Sequence, residues 1–195
     1  MSAHTALLII DVINDLEFDH GESLLQNAQP IVKPINHLRK EAAHHQIPVI
    51  YVNDNFGQWQ SNKEHIIEKC STGRGRPIVE RLRPTEDDYF VVKPKHSGFF
   101  STPLSTLLSQ LQATTLILTG MAGNICVLFT ANDAYMRGYD LHIPSDCVAS
   151  NAEEDNQYAL RLMKNTLKAD ITPSGELDWQ RIARKPPKDI IYSAD

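Results

Sequence analysis

The feature that most constrains this chain is a set of short, unbroken apolar runs separated by polar stretches. Residues 5–12 (TALLIIDV), 47–52 (IPVIYV) and 115–119 (TLILT) show no apolar/polar alternation. A strand with one wet face alternates, whereas a strand covered on both faces reads as a continuous apolar run. Such strands belong to a parallel sheet held between helical layers. The intervening segments supply the helices. Residues 27–46 place Ile31, Ile35, Leu38 and Ala42 at spacings of three and four, and residues 103–111, 124–137 and 153–168 read the same way, the stretch 124–137 closed by Gly138. Shorter strands are predicted at 89–92, 139–143 and 169–172. Alternating strands and helices mean an α/β fold: a single-domain, three-layer structure with a mainly parallel, Rossmann-like sheet of about six strands and helices on both faces.

The chain has 195 residues, a length that suits one domain. The domain is expected over residues 1–172. Residues 173–195, with Pro186 and Pro187, are expected to form a C-terminal extension or arm outside the core. Nineteen basic and 24 acidic residues give a net charge of −5 with no long basic block, so nucleic acid is not an expected partner. The apolar run at 6–10 is broken by Asp11 and lacks a basic flank, which argues against a signal peptide or a membrane span and for a cytoplasmic protein. The three cysteines, Cys70, Cys126 and Cys147, form no Cys-x-x-Cys pair, so neither a disulfide framework nor a structural zinc site is expected.

In parallel α/β sheets, ligands bind outside the carboxyl ends of the strands. Asp11 closes the first strand, Lys93 the third, and Cys126 falls in the first turn after the fourth. A cysteine at a helix start feels the positive end of the helix dipole, and a nearby ammonium adds to the effect, so a lowered thiol pKa is expected. A neighbouring carboxylate can take the thiol proton and later activate water. Each residue alone also has a plainer reading: Cys126 as a small buried apolar group, Asp11 as a cap, Lys93 as a strand-end charge.

The segments LLIIDVINDL (7–16), VVKPKHSGFFSTPL (91–104) and LTGMAGNICVLFTANDAYMRGYDLHIPSDCV (118–148) resemble, in matching order, the signature blocks of the isochorismatase-like cysteine hydrolases. STGRGRPIVERLRP (71–84) also resembles that superfamily's loop before the lysine strand, and the likeness runs from about residue 5 to about residue 172. The resemblance implies a catalytic triad of Asp11, Lys93 and Cys126, a cis peptide between Met121 and Ala122, and an oxyanion hole made by the backbone N–H groups of Ala122 and Cys126. It implies a hydrolase of a small molecule, foremost of a C–N amide bond through a thioester. The alternatives are isochorismatase-type vinyl-ether hydrolysis and a catalytically silent binding protein of the same fold. It also implies a homo-oligomer.

Metal-dependent relatives carry Asp-x-His where this chain reads Asp54-Asn55-Phe56, so no metal and no other cofactor is expected. The run His65, Glu68, Cys70 reads as an exposed helical face. Asn14-Asp15-Leu16 stands where the family often has Asn-Asp-Phe, which makes one pocket wall aliphatic. Candidate substrate-pocket residues are Leu16, Asn55, Phe56, Trp59, Phe99 and Phe100. His96 is the one histidine expected beside the site, and Cys70 and Cys147 are expected to be structural.

Overall fold

The computed structural model describes residues 4–59 and 62–184. Six strands form one sheet: β1 (Thr5–Ile10), β2 (Val49–Asp54), β3 (Tyr89–Lys93), β4 (Thr115–Met121), β5 (Asp140–His142) and β6 (Val148–Ala149). Every pairing is parallel and the order is β3-β2-β1-β4-β5. β6 joins β4 beyond β5, pairing with Gly120 and Met121 while β5 pairs with 115–117. Among the described residues, eight α-helices cover the two faces: α1 (Gly21–Ala28), α2 (Val32–His44), α3 (Lys63–Cys70), α4 (Arg76–Arg81), α5 (Leu104–Gln110), α6 (Leu128–Met136), α7 (Glu153–Thr166) and α8 (Trp179–Arg184).

β1 shows why its sequence lacks alternation. All of it is buried, with Leu7 and Ile9 entering one core beside α1–α4, and Ala6, Leu8 and Ile10 entering the other beside α5–α7. A residue on either face of a covered strand must be apolar or, like Thr5, have its polar group paired, because an unpaired buried polar group costs free energy with no return from water.

Three expectations need correction. The helix expected over 27–46 is α2, which starts only at Val32; a separate helix, α1, precedes it and ends at Ala28, with the break around Pro30. Proline has no N–H to donate and its ring crowds the preceding turn, whereas Pro34 sits in the first turn of α2, where no donor is required. The sixth strand is not 169–172. Asp170 makes a single bridge with His142, after which its side chain accepts the Thr172 N–H (3.0 Å) and hydroxyl (2.6 Å) and turns the chain off the edge. β6 instead lies at 148–149, too short to leave a periodic signal. The described part of the C-terminal segment does not stand outside the core: Leu177 and Ile182 are buried in the first core, and Thr5 Oγ1 donates to Ile182 O at 2.9 Å. Residues 185–195 lie outside the described residues. Among the described residues, no helix is long and apolar enough to cross a membrane.

Candidate active site

The strand order reverses between β1 and β4, which opens a crevice at their carboxyl ends. Asp11 follows β1 directly. Its N–H donates to Val52 O at 3.1 Å and its φ of 52° swings the carboxylate off the strand line into the crevice. Lys93 ends β3, in register with Asp54 at the end of β2. Cys126 lies in a wide turn, Gly123–Val127, closed by the Val127 N–H donating to Ala122 O at 3.1 Å. The Met121–Ala122 peptide is cis.

Two glycines let the backbones come this close. Gly120 has φ +114°, and a Cβ there would sit 2.0 Å from Ile10 O. At Gly123 a Cβ would meet Asn156 Oδ1 at 2.4 Å and Val148 Cγ1 at 2.6 Å. The turn is held from outside by Ser150 Oγ, which accepts the Asn124 N–H at 3.1 Å, and by Thr130 Oγ1, which donates to Cys126 O at 2.7 Å.

Lys93 is fully buried and its ammonium is the hub of the crevice. Nζ lies 2.8 Å from Asp11 Oδ2 and 3.5 Å from Asp54 Oδ2, and donates to Lys95 O at 3.1 Å and to Cys126 Sγ at 3.5 Å. Asp11, 4% exposed, accepts the Asp54 N–H on its other oxygen at 2.7 Å. A buried ammonium survives only with such company. Burial lowers the Lys93 pKa, but Asp11, then Cys126 and Asp54, more than offset it and hold the group above its ordinary value as a cation. Burial pushes the Asp11 carboxyl above the usual carboxylate range, against the pull of Lys93.

The lowered thiol pKa expected for Cys126 is not what the site holds. Burial, and next the Asp11 carboxylate, push the thiol up, with Lys93 opposing only in part.

The structure brings Asp11, Lys93, Cys126, Met121 and Ala122 together. Asn55, Trp59 and Phe100 line a cleft of about 520 Å³ beside Asp54 and Lys95. Leu16 is packed in the first core and Phe99 in the second, the latter beneath the Arg137 guanidinium at 4.7 Å. Phe56 is half-buried against the first core under Lys69 Nζ at 5.1 Å. Asp54, which the sequence marks only as the first position of the incomplete Asp-x-His motif, also belongs to the site. The available signal was that β2, like its neighbours β1 and β3, delivers a charged residue to the carboxyl edge of the sheet.

His65 and Glu68 are exposed while Cys70 is buried with its thiol toward Ile13 O, so these three do not converge. Glu41, His44 and His45, at the far end of α2, do have ligand atoms within 4.8 Å of one another.

The isochorismatase domain model matches residues 5–174. The chain belongs to the isochorismatase family. It is 49% identical over 175 residues to an uncharacterized isochorismatase family protein, YaaI, of Bacillus subtilis, covering 90% of this chain and 97% of that one. Among solved structures, a cysteine hydrolase from Pseudomonas syringae pv. phaseolicola superposes with a TM-score of 0.73 at 25% identity, over 92% of each chain. A pyrazinamidase/nicotinamidase from Streptococcus mutans superposes with a TM-score of 0.68 at 28% identity, over 86% of this chain and 99% of that one. The isochorismatase-family hydrolase fold thus puts its strand-order reversal, and the crevice that it opens, where Asp11, Lys93 and Cys126 meet.

Proposed function

We propose that this isochorismatase-family hydrolase cleaves a C–N amide bond of a small molecule through a thioester on Cys126. The observation that carries the reading is one buried ammonium, Lys93, touching both a carboxylate at 2.8 Å and a half-buried thiol at 3.5 Å. The Asp11 carboxylate takes the thiol proton. The Lys93 ammonium stabilises the sulfur anion as it forms, and the thiolate attacks the carbonyl carbon. The Ala122 and Cys126 N–H groups face the resulting oxyanion. Asp11, now protonated, hands its proton to the departing nitrogen, and water releases the acid. The pyrazinamidase/nicotinamidase among the solved relatives supports amide chemistry on this fold. Phe56 brings no ligand, and Asp54 is engaged with Lys93 and with the Phe56 N–H (2.6 Å), so the chemistry is assigned to the side chains alone.

Ammonia release across a panel of small primary amides tests the reading. Wild type releases ammonia from at least one amide and Cys126→Ala does not. Undiminished turnover by Cys126→Ala would overturn it and redirect attention to acid-catalysed vinyl-ether hydrolysis, in which the thiol has no part.

A further inference from the structure

His96 stands outside the three residues that carry the proposed chemistry, yet its Nδ1 lies 4.0 Å from Cys126 Sγ. Asp11 and Lys93 reach the sulfur from the buried interior, whereas His96 is exposed and reaches it from the solvent side. The separation is built into the fold. Thr130 Oγ1 accepts the Gly98 N–H at 2.9 Å and donates to Cys126 O at 2.7 Å, so one hydroxyl ties the His96 loop to the Cys126 turn. Ser97 Oγ adds a second tie, to the Asp133 carboxylate on α6. The imidazole lies against Phe129, with ring centroids 5.6 Å apart, and among the described residues no ion pair engages it.

The geometry points to His96 as the general base of the second half-reaction, the hydrolysis of the thioester. This inference rests on the thioester reading above. Once the amine has left, the acyl group is bonded to Sγ and water must reach its carbonyl carbon. The Asp11 carboxylate stays paired with the Lys93 ammonium at 2.8 Å and lies on the buried side of the sulfur. His96 lies where water enters. The water oxygen bonds to the acyl carbon as the imidazole takes one of its protons. Collapse of the tetrahedral intermediate breaks the C–S bond with the electron pair going to sulfur, and the imidazolium returns the proton to Sγ. The products are a carboxylic acid, a thiol and a neutral imidazole, so protons and electrons balance. An exposed imidazole within reach of sulfur is suited to this shuttle, and one general base is worth about 100-fold or more in rate.

p-Nitrophenyl acetate isolates the step, because its leaving group needs no proton. With His96→Ala, the expected result is a burst of about one nitrophenolate per site at the wild-type rate, then a steady state about 100-fold slower. An acetyl adduct accumulates on the Cys126 peptide, and added imidazole restores the steady state without changing the burst. His96 is exposed, so the variant keeps its fold. A steady-state rate within about twofold of wild type, or burst and steady state falling together without imidazole rescue, would overturn the role of His96. Absence of an acetyl adduct on Cys126 in every form of the enzyme would instead overturn the thioester reading, and this inference with it.

Discussion

Replacing Lys93 by Met keeps the length of the side chain and removes its charge, which separates the electrostatic role of the ammonium from its packing. At an effective dielectric constant of about 20, unit charges at the 3.5 Å separation of Nζ and Sγ attract by about 5 kcal/mol. Part of this is returned. Without the ammonium, Asp11 takes up a proton and ceases to repel the sulfur anion, so the net effect falls within the range of about one to three pKa units usual for loss of a close opposite charge. We expect a rise of one to two units, or about 1.4 kcal/mol for each. Below the thiol pKa the thiolate fraction falls tenfold per unit, so alkylation of Cys126 by iodoacetamide at a fixed neutral pH should slow about 10- to 100-fold. The whole pH profile moves to higher pH. Breaking the buried pair also destabilises the fold by about 3–5 kcal/mol, less whatever Asp11 recovers by protonation, so thermal unfolding must confirm a folded variant at the assay temperature. A folded Lys93→Met protein with the wild-type alkylation profile would refute the claim that this ammonium stabilises the thiolate.

Limiting alkylation of the native protein should label Cys126 first, as read by peptide mass. Access decides this rather than acidity: all three thiols are pushed up, Cys70 to about 12, but only Cys126 is reachable, and earlier labelling of Cys70 or Cys147 would contradict it. Gly120→Ala should unfold at markedly lower denaturant, by about 3 kcal/mol or more, because its Cβ meets Ile10 O at 2.0 Å in a left-handed backbone; an unchanged midpoint would refute the close approach of β1 and β4. Ile182→Ala should cost about 2–5 kcal/mol in denaturant unfolding while leaving catalytic turnover in place, since Ile182 is 3% exposed in the core and its carbonyl accepts from Thr5 at the opposite end of the sheet from Asp11. A loss below about 0.5 kcal/mol would mean that α8 does not dock.

What the sequence revealed was what burial dictates. Unbroken apolar runs located β1, β2 and β4 because both faces of those strands are covered, and charged residues at the ends of such runs located Asp11 and Lys93. The two-residue β6 and the bridge at Asp170 left no such trace, since neither depends on a repeating pattern of side chains. Aromatic type alone did not separate pocket from core. Phe99 and Phe100 are adjacent, yet one is buried beneath Arg137 and the other is exposed in the cleft, a difference set by the turn after Gly98. The direction of the Cys126 pKa was misread for a related reason: position at a helix start is visible in a sequence, whereas burial beside a carboxylate brought from another strand is not.

The most direct test of the account is chemical: acid-quench the enzyme while it turns over an amide that yields ammonia, digest it, and weigh the peptide carrying Cys126. The account predicts the acyl part of that substrate on Cys126, removable by hydroxylamine as a thioester is, and absent from both Cys70 and Cys147. An enzyme that releases ammonia while Cys126 stays unmodified at every quench time, and that keeps full activity as Cys126→Ala, would contradict it.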